Sequence, residues 1–144
     1  MYQHILLAVD FSQNGEQVIE QAQKLAKQFK SKLSLVHVLE LAPIMYEGDF
    51  SLPLGISYQE ELEKQAVAKL HQLAETLTID KKDCYLEQGS VKLAVTDVAK
   101  KIHADLIIAG THGHHGIEKL IGSRVNSILH AAECDVLVVR IKEK

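Results

Sequence analysis

Short, largely apolar runs alternate along this chain with longer stretches in which apolar residues recur every three or four positions. The runs are Ile5 to Val9, Leu33 to Leu39, Leu106 to Ala109 and Val136 to Val139, with a weaker one from Asp83 to Glu87. They are rich in β-branched residues and lack strict alternation, as expected of strands covered on both faces of a parallel sheet. Val18, Ala22, Leu25 and Phe29 form one helical stripe, and Leu62, Ala66, Leu70, Leu73 and Leu77 a second. Val91, Ala94, Val95, Val98, Ala99 and Ile102 form a third, and Val125, Ile128, Leu129 and Ala132 a fourth. The order β-α-β-α-β-α-β-α-β predicts an α/β, doubly wound, Rossmann-like parallel sheet with helices on both faces and right-handed crossovers.

One connection is long. Residues 40 to 57 hold both prolines, Pro43 and Pro53, with Gly48, Gly55 and Phe50, and read as a surface excursion rather than a second domain. Met45, Tyr46, Phe50 and Leu54 there either cover a ligand or partner or pack on the second helix. The 144 residues are expected to form a single domain, 1–144.

Composition narrows the function classes. Apolar residues make up 47% and net charge is -3, so this reads as an ordinary globular chain with no general attraction to nucleic acid. MYQHILLAVD lacks a basic segment, and its apolar run is too short for a signal peptide or a membrane span. A cytoplasmic protein is expected, with no membrane and no nucleic-acid partner. Cys84 and Cys134 form no CxxC pattern and are expected to be buried free thiols.

GTHGHHGIEKLIGS, residues 110 to 123, carries Gly110, Gly113, Gly116 and Gly122, four of the chain's eight glycines. Open parallel sheets bind ligands beyond the carboxyl ends of their strands, where the winding reverses. The first strand ends in AVDFS, with Asp10 and Ser12, and the fourth ends at Gly110. Backbone N–H groups of a glycine-rich turn, the start of the fourth helix and the Ser123 hydroxyl together suit a phosphate. The plainer alternatives are that Ser123 caps a helix, Gly110 eases a strand exit and Asp10 stabilises the first turn of the following helix. No Walker loop or GxGxxG stands here.

HILLAVDFS, LSLVHV, DLIIAGTHG, the GS opening the last helix and CDVLVVR resemble the universal stress protein family, over the whole chain and in the family's order. The resemblance implies a five-stranded sheet in the order 3-2-1-4-5, and a homodimer through the C-terminal strand, here Val136 to Val139. It implies ATP or AMP as ligand, with or without Mg2+. Nucleotide-binding members carry GxxG, nine residues, then G[ST]. This chain has Gly110 and Gly113, then only eight residues, 114 to 121, before Gly122 and Ser123. Val125 stands where a hydroxyl is frequent. Both departures bear on the triphosphate end. By position, Asp10 would hold the adenosine and the Val38 main chain would meet the adenine. Gly110, His112 and Gly113 would line the ribose and α-phosphate, and Gly122, Ser123 and Arg124 would face the phosphates.

Remaining chemistry is sparse. His112, His114 and His115 lie together, but no cysteine or carboxylate adjoins them, so loop histidines are expected rather than a metal site. His37 reads as a satisfied strand histidine, and His4, His71, His103 and His130 need no functional account. No paired carboxylates and no nucleophile–base pattern are visible, so dedicated catalysis is not expected, with slow ATP hydrolysis left as an alternative. The reading is a cytoplasmic stress-response protein binding an adenine nucleotide as signal or structural ligand. The alternative is a dimeric module of the same fold that binds no nucleotide and acts through unknown protein partners.

Overall fold

A computed structural model describes residues 1–40, 51–111 and 123–142. Its strands are β1 (His4–Ala8), β2 (Lys32–Leu39), β3 (Cys84–Gln88), β4 (Leu106–Gly110) and β5 (Asp135–Val139). The helices are α1 (Glu16–Phe29), α2 (Ser51–Leu77), α3 (Val91–Ile102) and α4 (Ser123–Ala131). All strand pairings are parallel, in the order β3-β2-β1-β4-β5, as the resemblance implied. The winding reverses between β1 and β4.

The two-residue period of a strand sorts the core. Ile5, Leu7, Val9, Leu35, Leu106 and Ile108 pack with Val18, Ala22 and Ala26 of α1 and Leu70 and Ala74 of α2. Leu6, Val36 and Ile107 pack on the other face with Val95, Val98 and Ala99 of α3 and Ile128 of α4. Central β1 is buried on both faces, which is why its apolar run is unbroken. Edge strand β5 is only half-buried beyond Asp135.

Two expectations are corrected. Residues 51–57 are not loop: α2 begins at Ser51, eleven residues ahead of the stripe that announced it. Pro53 falls in the first turn, where its missing N–H is not required, so it does not break the helix. Leu54 therefore belongs to α2, while Met45, Tyr46 and Phe50 lie outside the described residues. Cys84 and Cys134 are free but half-buried rather than buried. They sit on or beside opposite edge strands, about 19 Å apart at four strand spacings of roughly 4.8 Å, too far to bridge. Burial, followed by neighbouring aspartates, raises both thiols above their usual range, which disfavours the thiolate.

The amino ends of the strands are closed by side chains. Asp105 accepts the backbone N–H of Gln3 at 2.9 Å and of His4 at 3.0 Å. The His4 ring lies 3.1 Å from the Ile102 carbonyl through Nδ1 and 2.8 Å from the Ser34 hydroxyl through Nε2. A carbonyl only accepts, so Nδ1 carries the proton and Nε2 accepts from Ser34, which is fully buried. His4 is thus a structural histidine. α1, α2 and α3 end on Lys30, Thr78 and His103, all left-handed without being glycine. Each turn is closed by a long backbone bond, such as Ser31 N–H to Ala26 O at 2.8 Å and Ala104 N–H to Ala99 O at 2.9 Å.

Burial, then the Lys32 charge, lowers the His4 pKa, and the Ile102 carbonyl only partly opposes them. The unfolded chain therefore binds this proton first, near pH 6.5. Stability is full above that pH and declines as pH falls toward the lower folded value. His4→Gln should remove part of the loss between pH 7.5 and 5.5, at most about 1.4 kcal/mol per pH unit. Urea midpoints at both pH values check this; parallel losses in the two proteins would refute it.

Candidate functional site

The carboxyl ends of β1, β2 and β4 and the amino end of α4 share one edge of the sheet, beside the reversal point. This edge is built differently from the closed one. β1 ends at Ala8 opposite Val36, and Val9 N–H still reaches the Val36 carbonyl at 2.9 Å. Alternate residues of a strand direct their backbone groups to the same side. The N–H and C=O of Val38 therefore face the β1 side one step beyond the last β1 pairing. A main-chain donor and acceptor there can pair with the edge of a flat heterocycle. The Val38 side chain packs with the α3/α4 face, as does Ala8, whose small side chain leaves room above β1.

Past β1 the chain turns sharply. Asp10 is exposed, and its Oδ1 accepts the Ser12 N–H at 3.0 Å. This bond, from a residue two positions on, is an Asx turn. Helix α1 starts only at Glu16, with Gly15 as an N-cap that makes no side-chain bond, so Asp10 does not stabilise its first turn. It holds the strand exit instead. Phe11 sits at φ 57, a left-handed position that costs a non-glycine residue about 1–2 kcal/mol. Its ring lies over His37 at 4.7 Å between centroids, and Lys69 Nζ approaches the ring at 5.9 Å. The His37 Nδ1 is 2.7 Å from the Val9 carbonyl, so His37 is the satisfied strand histidine expected of it. Phe11 carried no signal in sequence, since nothing local marks an aromatic residue as left-handed.

Ser12 Oγ is buried and has no hydrogen-bond partner among the described residues. A buried hydroxyl without a partner is costly, and one at this edge fits a ligand that brings an acceptor or donor. Gly15 lets the turn close: a Cβ there would lie 3.0 Å from the Ser12 carbonyl oxygen.

Gly110 ends β4 and is half-buried. A Cβ on it would meet Ile141 Cδ1 at 2.7 Å and Val18 Cγ2 at 2.9 Å. Packing against α1 and the chain after β5 therefore favours glycine, since a Cβ would force the Ile141 and Val18 side chains to shift. Thr111 N–H bonds to Val139 O at 3.0 Å and Ile141 N–H to the Thr111 hydroxyl at 3.0 Å, fastening this end of β4 to β5. Helix α4 begins at Ser123, where the sequence placed it. Arg124, in its first turn, bonds through Nε to Glu40 Oε1 at 2.5 Å. Val125 is buried at 6% exposure, so it is a core residue here and not a ligand contact. His112, Gly113, His114, His115, Gly116 and Gly122 lie outside the described residues. Among the described residues there is no cluster of histidine, cysteine and carboxylate able to hold a metal. No described helix is long and apolar enough to cross a membrane.

Comparison with known proteins agrees with this architecture. A model of the universal stress protein family matches residues 1–140. Universal stress protein A homolog 1 of Coxiella burnetii is 42% identical over 142 residues, which cover 99% of each chain. Among solved structures, universal stress protein UspA from Lactobacillus plantarum superposes with a TM-score of 0.79 at 22% identity, covering 96% of this chain and 98% of that one. A universal stress protein solved in complex with cAMP superposes with a TM-score of 0.64 at 19% identity, covering 98% of each.

Two substitutions separate packing from ligand chemistry at this edge. Gly110→Ala should lower stability by about 1–3 kcal/mol through overpacking, and adding Ile141→Val should restore part of it. An unchanged melting midpoint for Gly110→Ala would show that packing does not set this position. Ser12→Ala should leave the free protein as stable or slightly more stable, because it removes an unpaired buried hydroxyl. A loss of more than about 1 kcal/mol in a melt would mean the hydroxyl has a structural partner.

Proposed function

This chain belongs to the universal stress protein family, and from that premise we propose that it binds an adenine nucleotide at the edge between β1 and β4. The observation that carries the reading is the convergence there of three groups: the Asp10 carboxylate, the Val38 main chain and the Arg124 guanidinium at the head of α4. A nucleotide needs a main-chain pattern for the base, an acceptor for ribose hydroxyls and a cation with free N–H groups for phosphate. Each is present in that spatial order. Ser12 Oγ offers a further bond. In sequence, Gly110, Gly113, Gly122 and Ser123, with His112 among them, match the glycine pattern of the family's nucleotide-binding members apart from the one-residue-shorter spacing. A relative of the same fold bound to cAMP supports the class of ligand.

The role is that of a signal or structural ligand in a cytoplasmic stress-response protein, rather than a dedicated enzyme. Asp10 is engaged in its own turn and the Glu40 carboxylate in its pair with Arg124, so neither is offered as a base to activate water. Mg2+ accompanies a triphosphate if one is bound. The short 114–121 spacing and buried Val125 both favour AMP over ATP. Self-association through the free side of β5 completes the reading, since a half-buried apolar edge strand is otherwise a site of unwanted pairing. The alternative, a module acting only through protein partners, draws support from the neutralisation of Arg124 by Glu40.

Thermal melts of ligand-free protein with millimolar ATP, ADP and AMP test the proposal. At about a hundredfold over the dissociation constant, a ligand adds about 2.7 kcal/mol, which raises the midpoint by roughly 8 to 12 °C. The rise should disappear in Gly113→Asp and shrink in Ser123→Ala. No rise with any nucleotide would replace this reading with the partner-only one.

A further inference from the structure

Arg124 and Glu40 stand 84 residues apart in the chain, on opposite sides of β1. Glu40 follows the last residue of β2, and Arg124 belongs to the helix after β4. Because β1 lies between β2 and β4, their bond crosses the carboxyl end of β1. It passes over the side on which Ala8 and Val38 pack. The side chains are 51% and 41% exposed, so the pair is formed at the surface and open to exchange.

We propose that Glu40 is an internal competitor for phosphate at Arg124, and so sets how strongly the site weighs the phosphate end of its ligand against the nucleoside end. This rests on the nucleotide reading above. A carboxylate and a phosphate present a guanidinium with the same offer, two oxygens and a negative charge. Glu40 already takes the Nε–H. A phosphate that takes the Nε edge of Arg124 displaces this carboxylate, and one that takes the remaining N–H groups meets it as a like charge on the same guanidinium. A ligand without phosphate leaves the pair intact. Glu40 therefore lowers affinity for phosphate-bearing ligands alone, and it does so through Arg124.

Calorimetric titration of ligand-free protein with adenosine, AMP and ATP tests this, using the natural protein, Glu40→Gln, Arg124→Gln and the double variant. Glu40→Gln should tighten AMP and ATP about two- to fivefold, the range set by releasing one exposed ion pair. Adenosine should bind unchanged. In the Arg124→Gln background the gain from Glu40→Gln should vanish, the signature of coupling between the two residues. An equal gain for adenosine would overturn the proposal. The same gain with and without Arg124 would also overturn it, since simple repulsion by Glu40 would then suffice. Nucleotide binding that is indifferent to Glu40→Gln would overturn the competition and leave the nucleotide reading standing. No binding of any of the three ligands would overturn both.

Discussion

Ile5, Leu6 and Leu7 of β1 are fully excluded from water, and the rest of the molecule is arranged around that constraint. Successive side chains of a strand point to opposite faces, so three buried in succession require cover on both sides. Helices α1 and α2 supply it on one face and α3 and α4 on the other. To serve both faces, the chain winds outward from β1 to β2 and β3, then returns to the far side of β1 for β4 and β5. The reversal sets the crossovers that follow β1 and β4 on opposite faces of the sheet, the place where such sheets open a crevice. The edge proposed to hold a ligand is thus a by-product of burying one strand completely.

The two ends of the sheet show opposite physical chemistry. At the amino end, Asp105 satisfies two backbone donors, His4 satisfies a carbonyl and a buried hydroxyl, and left-handed turns close the helices that arrive there. Polar groups there have partners, which suits a structural end. The carboxyl end keeps its polar groups available. Ser12 Oγ is unpaired among the described residues, the Val38 main chain extends beyond β1, and Arg124 pairs with an exposed carboxylate. Phe11 is held in a strained conformation by its contacts with His37 and Lys69. Unpaired polar groups and backbone strain gathered at one end are the usual marks of a binding edge.

Gly110 shows how one residue answers to both demands. Sequence pattern placed it in a phosphate-binding turn, while the fold leaves little room for a Cβ there beside Ile141 and Val18. The two roles are compatible, because a residue without a Cβ serves close packing and close backbone approach alike. Val125 is the opposite case. A family pattern frequently has a hydroxyl there, but in this chain the side chain is core.

The type and order of the strands and α-helices among the described residues were legible in the sequence because the periods of two and of 3.6 are local properties of the backbone. Strand boundaries fell within a residue or two for the same reason. The start of α2 was not legible, since Pro53 and Gly55 read locally as a break and only their place in the first turns makes them acceptable. Val38 and Arg124 were named through the family resemblance, whereas Asp10 and Ser12 could be named from sequence as belonging to one edge, because strand ends follow from element order. What each does there could not. That Asp10 turns back on Ser12, that Arg124 meets Glu40 and that His4 reaches Ser34 depends on side chains brought together from distant parts of the chain. Local periodicity decided which elements form and which faces they bury. Only the packing of those faces decided which polar groups would meet, because such partners are set by distance through space.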